Sequence, residues 1–179
     1  MGILTVQIQN LDADTVITIE DYQQNIEIEY SESPISLAYS CNKTTYAVYP
    51  LCIEFLNENF SLQKAAVTLI TDDKSHDHQQ VQKFEERLFQ IVEEKLHKRF
   101  KRWIRFSDGC RGQFKSRFCV ANQFAACALF GFESVWWHFF ESHEGKSSSD
   151  SIGVVVKCAL RRGILKRKLD LPQSSGQTH

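Results

Sequence analysis

The residues best suited to chemistry are carboxylates delivered at the ends of apolar stretches. Asp108 is the clearest. Trp103, Ile104 and Phe106 have strand character, and Gly109 and Gly112 supply the permissive backbone that follows. A carboxylate at the end of a buried strand is rigidly held and close to solvent, as an active site requires. Asp-Gly is equally a turn signal with its own backbone hydrogen bond, and that reading stays open. Thr15–Ile19 delivers Glu20 and Asp21 in the same way, and Ala65–Thr71 ends at Asp72 and Asp73. Asp150 opens the last helical pattern, where it is either a helix cap or a functional acid. The cluster TDDKSHDH holds Asp72, Asp73, His76, Asp77 and His78, which could bind metal or form a polar strand-to-helix turn. Asp72 is the substitute should Asp21 point away from Asp108.

The elements that must position these acids follow from periodicity. After Thr15–Ile19, the segment QQNIEIEY alternates Ile26, Ile28 and Tyr30 with Glu27 and Glu29, so a hairpin is expected. Thr45–Phe55 is the next strand, with Pro50 pointing to an edge or a bulge. From Asp77 to His97 the period becomes helical through Val81, Phe84, Leu88, Ile91, Val92 and Leu96. Phe118–Phe130 fits a buried helix, and Glu133–Glu141 reads as a strand or core segment whose Trp136, Trp137, Phe139 and Phe140 fill a core rather than stack on bases. The last helix repeats Ile152, Val155, Val156, Ala159, Leu160 and Ile164. Strands followed by alternating helices and strands give an α/β fold, a mixed five-stranded sheet with helices on its faces. One domain over residues 1–169 and a disordered tail over 170–179 are expected.

The formal net charge is -1, but Met1–Phe60 holds nine acidic residues and one basic, whereas Lys95–His179 holds six acidic and sixteen basic. A half with that excess of cations suits a polyanionic partner or a solvated face. No run is long enough to span a membrane, and the N-terminus lacks a signal-peptide pattern, so an intracellular soluble protein is expected. The six cysteines form no CxxC pair, which argues against a zinc ribbon and a secreted disulfide framework. Cys110, Cys119, His138 and His143 could meet on zinc only if the fold gathers them.

The order of elements is similar to the RNase H fold, in which acids sit on the first strand, at the end of the fourth and on the last helix. Asp21, Asp108 and Asp150 stand at those places. FSDGCRGQFK, WHFFESHEGKSSSD and SIGVVVK, with ITIEDYQQN and ITDDKSHD earlier, resemble a family of transposase-like proteins of animal genomes with an RNase H-like, integrase-type core. The resemblance implies that these three aspartates form a catalytic, metal-binding triad. Converging carboxylates repel one another unless cations neutralise them, and Mg²⁺ or Mn²⁺ suits oxygen ligands and phosphate substrates. It further implies phosphodiester cleavage or strand transfer on DNA, a nuclear location and a homo-oligomer. Arg111, Lys115, Arg117, His143, Lys146, Lys157, Arg161 and Arg162 would hold phosphates, with Lys98, Arg99, Lys101 and Arg102 flanking the Asp108 strand. His143 could also move a proton near neutral pH. HEGKS stands where the family has HGKG, and Ser151 and Val154 stand where it tends to have glycine. Such changes fit a domesticated or truncated copy that binds nucleic acid or protein partners without catalysis. A protein-interaction module and a general RNase H-type ribonuclease are the other readings.

Overall fold

The computed structural model describes residues 3–20, 23–29, 43–75, 77–109, 114–140 and 148–170. Among the described residues, four helices and six strands follow in the order α1 (Ile3–Gln9), β1 (Thr15–Glu20), β2 (Gln23–Glu29), β3 (Lys43–Leu56), β4 (Leu62–Thr71), α2 (His78–Leu96), β5 (Arg102–Ser107), α3 (Arg117–Phe130), β6 (Ser134–Phe139) and α4 (Ser148–Asp170). The expected mixed sheet with helices on both faces is what the chain forms, with six described strands where five were expected. β3 and β4 build its antiparallel half, and β5 and β6 lie parallel to β1. The tail from 171 onward lies outside the described residues.

Three expectations about the first half are corrected. The stretch before β1 is a short helix, because Leu4, Ile8 and Leu11 recur at helical spacing and cover an apolar patch of the sheet. β1 and β2 do not form a hairpin. They run in line along the same edge of β3, with Glu20 opposite Leu51 and Gln23 opposite Val48, the same register continued past a junction. Alternation tells which face a side chain takes, and it leaves open which strand is the neighbour. Pro50 is not at an edge either, since β3 is flanked on both sides.

The sheet separates two apolar layers. On one face, Val16, Tyr49, Leu51, Ile53, Phe55 and Trp103 pack against Val81, Phe84, Leu88, Phe89 and Val92 of α2 and Ala126 of α3. On the other, Ile17, Ile19, Cys52 and Phe106 are covered by α1 residues and by Ile152 of α4, while Val156 and Leu160 cover Ile26 and Val48. Burial of this kind contributes roughly 1.5–3 kcal/mol per large apolar side chain.

Two elements are more exposed than their sequences suggest. α3 is a helix, but Phe118, Val120, Phe124 and Leu129 face solvent. Among the described residues β6 lies at one edge of the sheet, and Trp136 is 58% exposed. An apolar segment next to the last strand of a sheet has one side left to cover, and composition does not reveal that.

Candidate functional site at the carboxyl end of the sheet

β1 and β5 are parallel neighbours, paired from Thr15 with Arg102 through Glu20 with Ser107. Asp108 is the next residue after that last pair and is half-buried. Strand alternation assigns its position to the face of Ile104 and Phe106, opposite the α2 layer. The end of β5 is fixed by β6, since the Phe140 backbone N–H donates to the Ser107 carbonyl at 2.9 Å and the Trp137 indole N–H donates to Ser107 Oγ at 2.9 Å. Ile152 of α4 packs on the same Ile17, Ile19 and Phe106 patch, so the first turn of α4, which contains Asp150, starts on the Asp108 side of the sheet. Asp21 follows Glu20 in the chain and lies outside the described residues, as does the side chain of Asp150. Among the described residues no group of three His, Cys, Asp or Glu side chains could hold a metal ion. In donor chemistry the set still fits a hard divalent cation, because the described ligand at this edge is a carboxylate rather than a thiol or imidazole.

Of the expected phosphate-binding residues, Lys115 and Arg117 lie between Asp108 and the body of α3, with exposed side chains. Lys115 Nζ lies 4.6 Å from the Phe139 ring centre and 2.8 Å from the point where a Cβ on Gly109 would stand. An ammonium group thus sits beside the residue that follows Asp108. The Arg117 guanidinium rests 5.0 Å over Phe118. Lys157 is half-buried and Arg162 exposed on α4, whereas the Arg161 side chain lies outside the described residues with Arg111, His143 and Lys146. The other expected flank is corrected. Lys98, Arg99, Lys101 and Arg102 stand at the amino end of β5, away from Asp108 by the strand's length. There Lys98 donates to the Leu56 carbonyl at 2.7 Å, and Arg99 pairs with Glu93, Lys101 with Asp14 and Arg102 with Asp12.

The cluster after β4 is a polar turn. Asp77 caps α2 by accepting from the Gln79 and Gln80 N–H groups at 3.0 Å each, and Gln80 Nε2 donates to the Asp73 carbonyl at 2.6 Å. Asp72 is exposed, and β3 and β1 intervene between β4 and β5. The zinc set is not gathered: Cys119 is buried in α3 on one face, His138 stacks on Phe106 on the other, and Cys110 and His143 lie outside the described residues.

A buried ionic cluster under this edge is absent from the sequence reading. Arg105, fully buried, donates to Glu20 from Nε at 3.1 Å and from Nη2 at 2.5 Å, and its Nη2 also reaches Glu85 Oε1 at 2.6 Å. Glu20 accepts further hydrogen bonds from Tyr49 at 2.8 Å and Thr18 at 2.7 Å, and Thr18 Oγ1 accepts from the Trp103 indole at 2.9 Å. The guanidinium is flanked by the rings of Trp103 and Trp137, at 4.7 and 4.0 Å. Burial pushes the Glu85 carboxyl up to about 7 against the opposing pull of Arg105, and burial with the nearby Glu20 charge raises the Tyr49 phenol well above its usual value. Arg105 is held protonated by Glu20 and Glu85 despite its burial. The available signal was a charge flanked by apolar residues on two neighbouring strands, Glu20 after VITI and Arg105 within WIRF.

A family model described as "Domain of unknown function (DUF8701)" matches residues 4–175. No curated protein matches the chain. Among solved structures it is similar to LC9-RNase H1, a type 1 RNase H with the type 2 active-site motif, at 13% identity and a TM-score of 0.47, over 81% of this chain and 71% of that one. It is also similar to Ciona intestinalis endonuclease V in complex with a 24-mer DNA containing an inosine followed by a ribo-adenosine, at 13% identity and a TM-score of 0.27, over 88% of this chain and 64% of that one. Likenesses of this degree concern the course of the chain and say nothing of its chemistry.

Proposed function

This chain belongs to the family described as Domain of unknown function (DUF8701), and we propose that it is a transposase-derived RNase H-like nuclease core acting on DNA by phosphodiester cleavage or strand transfer. The carrying observation is that the β5 end, which bears Asp108, and the first turn of α4, which bears Asp150, fall on the same side of the sheet. Asp21 follows Glu20 in the chain as Asp108 follows Ser107, and Glu20 with Ser107 is the last described pair of β1 and β5. Asp21, Asp108 and Asp150 would hold Mg²⁺ or Mn²⁺, which when bound supplies Lewis acidity to the phosphoryl group and activates the attacking hydroxyl or water.

The chain's own cations do the positioning. Lys115 and Arg117 hold the phosphates next to the scissile one, and Lys157, Arg161 and Arg162 extend the track along α4. Arg111, His143 and Lys146 complete the contacts, with His143 able to pass a proton near neutral pH. These contacts set affinity and orientation without reading sequence. The protein would work in the nucleus.

A second reading, a domesticated copy that binds nucleic acid without cutting it, is favoured by Lys115. Its ammonium beside Gly109 can neutralise acidic charge at this edge without a metal. Nicking of a labelled duplex with Mg²⁺ or Mn²⁺, native chain against Asp108→Asn, tests both. Cleavage by the native chain alone, with a loss of at least about a hundredfold in the variant, is expected for the enzyme. Salt-dependent binding by both without cleavage establishes the second reading. Equal cleavage by both sinks the triad.

A further inference from the structure

α3 and β6 share a surface that the nuclease reading leaves unused. Between Phe118 and Phe140 the only formal charge is Glu133. On α3, Phe118 and Leu129 lie on the flank towards α2, where Phe118 stacks on His78 at 4.7 Å and Leu129 lines a cleft with Phe89 and Glu93. By helical spacing Val120 and Phe124 fall on the opposite flank, over the outer edge of β6, and are 56% and 75% exposed. Trp136 projects from that same edge on the other face of the sheet, as its neighbour Trp137 packs on the α3 side against Phe114.

The backbone of this edge is open as well. Ser134 and Phe140 donate their N–H groups towards β5. Alternation therefore turns the N–H and C=O groups of Val135, Trp137 and Phe139 outward, where among the described residues no strand meets them. Edge strands that stay unpaired in solution are ordinarily guarded by lysine, proline or an inward charge, and SVWWHF has none of these.

We infer that β6 is the two-fold interface of a homodimer, in which the β6 strands of two copies pair antiparallel about Trp137 and join the two sheets into one. A strand edge is complemented by another strand, and Val120, Phe124 and Trp136 offer a polyanion no charge, so a second copy supplies the matching chemistry. The two-fold sets Val135 opposite the partner's Phe139 and Trp136 opposite the partner's His138, with Val120 and Phe124 of both copies meeting on the helical face. The exposed parts of Val120, Phe124, Trp136 and Phe139 amount to on the order of 400 Å² of apolar surface. That is most of the apolar share of a standard interface, about 800 Å² per partner. Closed two-fold pairing also consumes the edge, where a non-closing contact would propagate.

The test is sedimentation equilibrium of the unmodified chain over a wide concentration range, with amide exchange measured at both ends of it. A concentration-dependent dimer is expected, with the Val135, Trp137 and Phe139 amides protected only when the dimer is populated. Trp136→Lys and, separately, Phe124→Glu should each raise the dimer dissociation constant at least about thirty-fold with an unchanged circular dichroism spectrum, since each acts twice across the two-fold. A monomer at every concentration overturns the inference, leaving the edge to another partner or to a further segment of a longer chain. A dimer with no change at those three amides also overturns it, because the contact then lies elsewhere. The exchange measurement needs no variant, so a substitution that disturbs folding does not decide the matter.

Discussion

Arg105 is the residue on which the interior near the site depends. It carries one positive charge between Glu20 and Glu85 in a fully buried place, so removing it strands buried carboxylate charge. Arg105→Met is expected to cost about 3–5 kcal/mol of stability, measured by urea unfolding at neutral pH. Glu85 behaves differently, because burial and the nearby Glu20 charge outweigh the pull of Arg105 on its carboxyl. Its carboxyl sits near 7 in the folded chain against an ordinary value of 4.5. Between those values the folded state binds a proton that the unfolded state lacks. Stability from this group is therefore full below about 4.5 and is lost as pH rises through about 7. Glu85→Gln keeps an oxygen for Arg105 and removes the titration. The stability of the native chain relative to the variant, followed by urea midpoints across that window, should fall as pH rises. A parallel pH course in both would show that Glu85 stays ionised.

At the scale of elements, α2 was the most legible piece. Its apolar positions recur at three and four residues, and Asp77, where the helical period begins in the sequence, accepts from two amides of the first turn. Asp77→Ala should cost about 1 kcal/mol, read from the shift of the unfolding midpoint. β5 was legible too, ending one residue before Asp108 as its aromatic and β-branched run suggested. The first strands were not. β1 and β2 have the alternation of two strands, and alternation is the same whether strands fold back on each other or run on in line beside a third. The partner was chosen by the long β3, whose fourteen residues are enough to pair with both on one edge and with β4 on the other. α3 and β6 misled for a related reason, since their apolar content exceeds what one side of a sheet edge can bury.

For the whole molecule, the charge asymmetry of the sequence divides in space. At the amino end of β5 the cations are engaged with Glu93, Asp12 and Asp14, so they add little net field there. Lys115, Arg117, Lys157 and Arg162 remain towards the candidate site and along α4. Replacing Lys157 and Arg162 together by alanine should weaken duplex binding and lower the slope of log affinity against log salt by about 2, read by fluorescence anisotropy across a salt series. Lys101→Ala serves as the contrast and should leave that slope unchanged. A slope that responds to Lys101 and not to the α4 pair would put the binding face at the other end of the sheet. No helix among the described residues is long and apolar enough to cross a membrane.

The sequence by itself determined the kinds of element, most of their limits and the position of Asp108 just past a buried strand, because these depend on periodicity and on local turn chemistry. Tertiary structure decided which strands are neighbours, which end of β5 each cation occupies and that Glu20, Arg105, Glu85 and Tyr49 meet in the core. Those outcomes depend on contacts between residues separated by as many as 90 positions. A charge pattern read along the chain carries no distance between such residues, and only the packed sheet brings them within hydrogen-bond reach.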